Sequence, residues 1–224
     1  MEALWVLGFA LAAGGLIYLA WRAEQARREA FRRWAAARGW SYRPGKDRAW
    51  AARHAFLERL RQGGNRYAFD LLEGPWNGGR ATAFSFHYET SDGKHTCHHH
   101  LNVVTVALER PFPELLLAPE GFLERFFQAL SDDIDFESVE FSRAFRVRSR
   151  NKRFAYDFCH PRMMEYLLAH RDVALEVDGD VLALLDGGKL ALRDVEGKLE
   201  RVDAIRALIP AYLLRDASLA APSH

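Results

Sequence analysis

An uncharged run of nineteen residues, from Ala3 to Trp21, constrains this chain more than any other feature of its sequence. As a helix rising ~1.5 Å per residue it would be ~28 Å long, close to the ~30 Å hydrocarbon core of a bilayer. Trp5 lies near one end of the run and Tyr18 near the other, where aromatic rings favour the membrane interface. The run therefore predicts a transmembrane anchor over residues 1–21.

The charges on either side of this run predict its orientation. Residues 22–53 contain ten basic and three acidic side chains, whereas the only charge in residues 1–21 is Glu2. Basic residues next to a span stay in the cytoplasm, so we expect an inner (plasma) membrane protein with its N-terminus outside and a cytoplasmic soluble domain. A cleaved signal peptide is the alternative, but it would need basic residues before the apolar run, and here they follow it.

The basic segment predicts a juxtamembrane helix over residues 22–39. Ala, Arg, Glu and Gln are good helix formers, and Gly39 is suited to end the helix. Anionic lipid head groups attract each arginine near a bilayer by ~1 kcal/mol. Nucleic acid is not an expected partner, because the chain beyond residue 53 has more acidic than basic residues. We therefore predict that five arginines contact the membrane surface: Arg22, Arg27, Arg28, Arg32 and Arg33.

Beyond this helix the residue patterns predict an α+β fold, with antiparallel hairpins packed against short helices. Strand and helix signals are grouped and do not alternate strictly, which disfavours a doubly wound sheet. We expect one lobe over residues 40–131 and a second over residues 132–224, in one body or two. The first lobe contains five strand signals and two helix signals: strands over 40–42, 67–72, 80–90, 95–108 and 115–117, helices over 51–60 and 120–130.

The second lobe is predicted to contain both kinds of element. A hairpin is expected over residues 174–185, because Asp178-Gly179-Asp180 is typical of a tight turn. The other signals are a strand over 141–149 and helices over 151–158, 162–170 and 197–214.

The segment from Phe141 to Leu185 resembles an uncharacterised bacterial membrane-anchored family of unknown function. The resemblance rests on spaced phenylalanines before Val147 and Ser149, on the pair Ala155-Tyr156 and on a Pro-x-Met-Met-x-x-Leu pattern ending at Leu167. It implies the membrane-anchored α+β architecture and transfers no catalytic residue. These positions are mostly apolar at strand and helix spacing, which is typical of a protein core.

A histidine-rich hairpin is the one cluster of chemically active residues in the sequence. The Asp-Gly pair within Ser91-Asp92-Gly93-Lys94 favours a tight turn. If Ser91 is paired with Lys94, His87 lies opposite His98. Strand alternation then places His87, His98 and His100 on one face together with Glu89. The other face would hold Phe84, Phe86 and Tyr88 against His95, Cys97, His99 and Leu101. Imidazole and carboxylate groups suit zinc-type metals, so the pattern predicts a metal site formed by His87, Glu89, His98 and His100.

Two other interpretations of this hairpin remain open. The polar face could simply be solvated, and a slip of one residue would move the set to the other face. No P-loop, GxSxG or dinucleotide-binding pattern is present in the sequence. The sequence thus favours a binding or interaction module at the membrane with an unidentified protein partner. A metal-binding protein or metal-dependent enzyme is the alternative, and no catalytic residue is identified.

Overall fold

The computed structural model describes the backbone of residues 2–53, 63–91, 93–119, 134–172 and 174–216, and their side chains except at 2–4, 6–8 and 10. This part of the chain contains seven helices and six strands, which confirms the α+β class. The helices are α1 (Glu2–Ala37), α2 (Arg48–Arg53), α3 (Val139–Ala144), α4 (Lys152–Phe158), α5 (Pro161–Leu168), α6 (Leu192–Leu208) and α7 (Ala211–Arg215). The strands are β1 (Ser41–Arg43), β2 (Gly64–Trp76), β3 (Gly79–Ser91), β4 (Thr96–Pro119), β5 (Phe145–Arg148) and β6 (Ala174–Gly187).

The strands form one antiparallel sheet in the order β1-β2-β3-β4-β5, with β6 also paired to β4. Strand β4 organises the sheet because it is 24 residues long. Its first part pairs with β3, its last residues pair with β5, and β6 follows most of its length. Strands from both sides of residue 132 therefore belong to the same sheet.

The hairpin predicted over residues 174–185 is wrong. These residues form the single strand β6, which pairs with β4 from Leu175 to Gly187. Gly179, at φ 56°, lies opposite Phe112, where the pairing register shifts. The Asp-Gly signal therefore marks an irregularity within β6, facing the proline-flanked irregularity of β4, and the chain does not reverse there.

The strand predicted over residues 141–149 is half wrong. Its first part is helix α3, whose N-cap Ser138 accepts a hydrogen bond of 3.3 Å from the Phe141 backbone N–H, and only Phe145–Arg148 is strand. Phe141 and Phe145 are four residues apart, a helical spacing that the strand prediction did not weigh. The helices predicted near residues 151–158 and 162–170 are confirmed as α4 and α5. The helix predicted over 120–130, and residues 54–60 of the one before it, lie outside the described residues.

Two buried clusters cover the two faces of the sheet. The larger contains Phe31 and Ala35 of α1 together with apolar residues of α3, α4, α5 and α6. The smaller joins Trp50 of α2 to Phe84 and Phe86 of β3. The hairpin face that contains Phe84 and Phe86 is therefore a core face.

Helix α1 is continuous over 36 residues. Its two halves have different surroundings: we call residues 2–21 the outer half and residues 22–37 the inner half. In the outer half, up to Trp21, large apolar side chains are exposed, for example Trp5 at 79%, Phe9 at 78% and Ile17 at 71%. In the inner half, Phe31 is only 1% exposed. The predicted end at Gly39 is confirmed, since this residue has φ 69° just after the helix. Within the described residues, no helix has the length and apolar character that crossing a membrane requires.

Candidate functional site

The histidine-rich hairpin has the predicted faces but not the predicted register. Ser91 pairs with Thr96 instead of Lys94, so His87 lies opposite His100, and Glu89 lies opposite His98. The connection is therefore longer than a two-residue turn, which shifts every pair by two residues along β4. Because side chains alternate with a period of two, a shift of two residues keeps the same residues on the same face.

Three of the four predicted metal ligands lie together near the turn that joins the two strands of this hairpin. The distance between His87 Nε2 and His98 Nδ1 is 3.3 Å. Glu89 Oε1 lies 3.2 Å from His98 Nδ1 and 3.8 Å from His87 Nε2. The ligand atoms of these three residues form the one group within the described chain that could hold a metal ion.

Asn65 of β2 positions two of these three side chains. Its backbone oxygen lies 3.2 Å from His87 Nδ1, and its side-chain amide donates a 2.6 Å hydrogen bond to Glu89 Oε1. That hydrogen bond, assisted by the neighbouring histidines, lowers the pKa of Glu89 below its ordinary value, so the carboxylate is ionised at neutral pH. Asn65 has φ 44° at a bulge of β2, and no sequence signal connected it with the hairpin.

The fourth predicted ligand, His100, faces a different neighbourhood. Its ring packs edge-on against His87 and Phe69, and it lines a cavity described below. Desolvation and the nearby charge of Lys189 lower the pKa of His100. The face is also not simply solvated, because the His87 side chain is only 5% exposed and stacks on the ring of Tyr67.

A second site lies where α1 meets the sheet. Arg27 donates hydrogen bonds of 2.9 Å to Glu24 and 2.9 Å to Asp70, and the Tyr42 hydroxyl donates one of 2.7 Å to Asp70. Asp70 is 1% exposed and has φ 52° at the second bulge of β2. Burial, reinforced by the carboxylate of Asp70, raises the pKa of Tyr42. These contacts fix the inner half of α1 on the sheet.

A cavity of about 820 Å³ opens beside this contact. Its walls are formed by the inner half of α1, the segment before α2, strand β2, His100 of β4 and the residues at the start of α6. Five basic and two acidic side chains line it, giving a net charge of +3. The charged residues are Arg27, Arg28, Lys46, Lys189, Arg193, Glu24 and Asp70, and aromatic rings of Phe31, Tyr67 and Phe69 complete the wall. We call this cavity the basic pocket.

The two lysines carry much of the uncompensated charge of the basic pocket. Lys46 Nζ lies 4.5 Å from the ring centre of Tyr67, and Lys189 Nζ lies 6.0 Å from that of Phe69. Among the described residues, no carboxylate forms an ion pair with either lysine. Sequence reasoning missed this pocket because its walls come from five separate segments.

The arginines predicted to lie on the membrane surface separate into two groups. Arg27 and Arg28 line the basic pocket and both donate hydrogen bonds to Glu24. Those bonds lower the pKa of Glu24 to about 2. The other three arginines are exposed: Arg22, Arg32 and Arg33. Of these, Arg32 forms an ion pair of 3.4 Å with Glu29.

Among the described residues, Cys159 and the acidic side chains of Asp135 and Glu137 belong to no comparable site. Cys159 is buried, and burial raises the pKa of its thiol, so it is unsuited to act as a nucleophile. Its neighbour His160 lies 2.9 Å from the Leu208 carbonyl oxygen. Asp132 and Asp133 lie outside the described residues, and Asp135 is exposed.

Comparison with known proteins yields a fold and no family. No protein-family model and no curated protein matches the chain. Among solved structures, the crystal structure of the mycobacterial trehalose monomycolate transport factor A, TtfA, has a similar fold, with a TM-score of 0.56 and 13% identity. The alignment covers 83% of this chain and 95% of that one. At this identity the likeness shows a common fold, so ligands must be argued from the residues of this chain.

Proposed function

We propose that this chain is a single-pass inner-membrane protein with its N-terminus outside, and that its cytoplasmic body is a module that binds the head group of an anionic lipid. The observation that carries the proposal is the change along α1. Its outer half exposes large apolar side chains, and its inner half is docked on the sheet beside the basic pocket. Apolar side chains exposed along a helix are expensive in water and favourable in lipid.

The position of the basic pocket supports this function. Residues Glu24 to Phe31 of α1 line it, and at ~1.5 Å per residue they lie ~5–15 Å along the helix from Trp21. If Trp21 is at the membrane interface, the pocket opens at the depth of lipid head groups. Its net charge of +3 attracts an anion, and its aromatic wall suits the apolar part of the same molecule.

The start of α6 adds to the attraction for an anion. Ala191 is the N-cap of α6 and forms no side-chain capping hydrogen bond. It lines the basic pocket together with Leu192 and Arg193, so the positive end of the helix dipole adjoins the same space. Cations, a helix start and rings thus converge on one cavity.

The structural neighbour supports a role in transport. That protein is a transport factor for trehalose monomycolate. We extend to this chain only the general role of an accessory factor in transport, because shared fold does not determine the ligand. A binding module of this kind would present or hold a lipid for a partner protein at the inner membrane.

Membrane anchoring is tested by cell fractionation of the full chain. We expect the protein in the membrane pellet after an alkaline wash and release by the double change Leu11→Arg/Leu16→Arg, because each arginine near the centre of a span costs ~2.5–3.5 kcal/mol. Val139→Arg is the matched control, since Val139 is also an exposed apolar residue, at 61%, but belongs to the body. Recovery of the unaltered chain in the soluble fraction would contradict the anchor.

Lipid binding is tested by titrating the full chain, in neutral detergent, with short-chain phosphatidylglycerol and phosphatidylcholine. We expect preference for phosphatidylglycerol. Lys46→Glu/Lys189→Glu should lower that affinity at least about tenfold, because each cation near an anionic surface contributes ~1 kcal/mol. Lys152→Glu, an exposed lysine away from the pocket, should leave it unchanged. Equal affinity for the two lipids, or for inorganic phosphate and phosphatidylglycerol, would reject the lipid assignment.

A further inference from the structure

We propose that His87, Glu89 and His98 form a binding site for a divalent transition metal of the zinc type, with Asn65 as its positioning residue. Their ligand atoms are separated by 3.3, 3.2 and 3.8 Å. A tetrahedral zinc ion with ligands at ~2.0–2.1 Å requires neighbouring ligand atoms roughly 3.3 Å apart. The three atoms therefore form nearly one face of the coordination tetrahedron.

The hydrogen bonds of Asn65 leave the ligand atoms in the form that a metal needs. A backbone oxygen can only accept, so the 3.2 Å contact with the Asn65 carbonyl places the proton of a neutral His87 on Nδ1. The lone pair of Nε2 then points toward Glu89 and His98. The amide of Asn65 holds Glu89 Oε1 at the same time. Hydrogen bonds of this kind, made behind the ligands, fix ring orientation and carboxylate position in protein metal sites.

Exposure around the site indicates an open coordination position. The His87 side chain is 5% exposed, that of Glu89 23% and that of His98 60%. The site thus has a rigid inner wall and a solvent-facing ligand. Three protein ligands with a fourth position open to water are typical of catalytic zinc sites, whereas structural sites are usually closed by four protein ligands.

The metal site is separate from the basic pocket but shares a wall with it. Tyr67 stacks on His87 with ring centres 4.5 Å apart, and Tyr67 also lines the pocket. His100 lies on the pocket side and is not a member of the ligand cluster. The metal proposal therefore depends on the hairpin and on Asn65, and it would hold even if the pocket bound no lipid.

The experiment uses the full chain in neutral detergent, produced without a histidine tag and stripped with a chelator. Titration with Co²⁺ should give one equivalent per chain and the visible absorption bands of a tetrahedral ion, and Zn²⁺ should displace it. His98→Ala and Glu89→Gln should each weaken Co²⁺ binding by at least about tenfold, because each removes one of three ligands. Because both residues lie near the turn of the hairpin, each variant is first checked for native folding by near-ultraviolet circular dichroism.

His99→Ala is the matched control. His99 is in the same strand, but its ring stacks on Tyr88, on the opposite face of the hairpin. We expect this variant to bind Co²⁺ as the unaltered chain does. Equal binding by His98→Ala, or equal weakening by His99→Ala, would show adventitious binding to a histidine-rich surface and overturn the proposal. Absence of stoichiometric binding in the folded chain would overturn it as well.

Discussion

Strand β2 contains two bulges, and the residues at these bulges form hydrogen bonds with different parts of the molecule. Asn65 lies at the first, with φ 44°, and Asp70 lies at the second, with φ 52°. Positive φ in residues other than glycine is uncommon and is best tolerated by Asn and Asp. Such backbone strain costs of order 1–3 kcal/mol and persists where surrounding contacts outweigh it. Both bulges therefore hold a polar side chain at a position where the regular ladder would have aimed it elsewhere.

The surroundings of the two side chains explain the difference. Asp70 is 1% exposed and accepts hydrogen bonds from Arg27 and Tyr42, so it joins α1 to the sheet. Asn65 is exposed and its hydrogen bonds position the side chains of Glu89 and His87. A buried charge with two partners is a structural anchor. An exposed residue whose amide holds Glu89 and whose backbone oxygen contacts His87 is suited to function. We therefore expect the same substitution to have different consequences at the two bulges.

The largest effect is expected from Asp70→Gly. Glycine accepts the backbone conformation, so the loss comes from the missing carboxylate, which leaves Arg27 and the half-buried Tyr42 hydroxyl without their partner. The Arg27 side chain is 35% exposed and retains its hydrogen bonds with Glu24. We therefore expect the free energy of unfolding to fall by about 3 kcal/mol and not more. For a chain of this size that corresponds to a fall in Tm of roughly 6–12 °C, followed by tryptophan fluorescence.

The control for Asp70 is Asp172→Gly, which removes an ion pair with Arg201 from an aspartate whose side chain is 64% exposed. Surface pairs contribute about 0–1 kcal/mol, so its Tm should fall by only a few degrees. Similar losses for the two variants would mean that Asp70 is not an anchor.

The next effect is expected from Asn65→Gly. The substitution keeps the positive φ, so Tm should change little, but it removes the amide that holds Glu89. Loss of such supporting hydrogen bonds typically lowers metal affinity by about 10–100-fold. Co²⁺ titration measures this, and Asp70→Gly should bind Co²⁺ within about twofold of the unaltered chain. If Asn65→Gly lowered Tm as much as Asp70→Gly, the two bulges would have the same structural role.

The smallest effect concerns Glu24, which extends the Asp70 contact along α1. Its pKa is about 2 in the folded chain against an ordinary 4.5, so it stabilises the fold above pH 4.5 and this contribution is lost as the pH falls toward 2. Because its side chain is 38% exposed, we expect on the order of 1 kcal/mol. Glu24→Gln should therefore lower Tm by roughly 2–4 °C at pH 7, and the difference should shrink below pH 4.5.

Glu29→Gln is the control for Glu24, since the one ion pair that Glu29 forms with the described residues is an exposed pair with Arg32. Its Tm should follow that of the unaltered chain at every pH. A Tm difference for Glu24→Gln that stayed constant from pH 7 to pH 3 would contradict the lowered pKa.

Much of the hairpin site was predictable because strand alternation depends only on parity. The predicted pairing of Ser91 with Lys94 is wrong, and the observed pairing of Ser91 with Thr96 differs by two residues. An even shift leaves His87, Glu89 and His98 on one face, so the candidate ligands remained together. The contribution of Asn65 was not predictable, because it depends on where β2 bulges. The exclusion of His100 was not predictable either, because it depends on the observed register, which pairs Glu89 with His98 and His87 with His100.

The sequence alone determined the apolar run, the basic segment beside it, the α+β class and the histidine-rich face, since these follow from local composition and periodicity. Tertiary structure decided which strands pair with each other and which side chains line the same cavity. The long strand β4 brings β6 beside it where a hairpin was expected. The basic pocket gathers Lys46, Lys189 and Arg27 from segments more than 15 residues apart. Such contacts depend on the pairing of whole strands and the docking of α1, which no local pattern encodes.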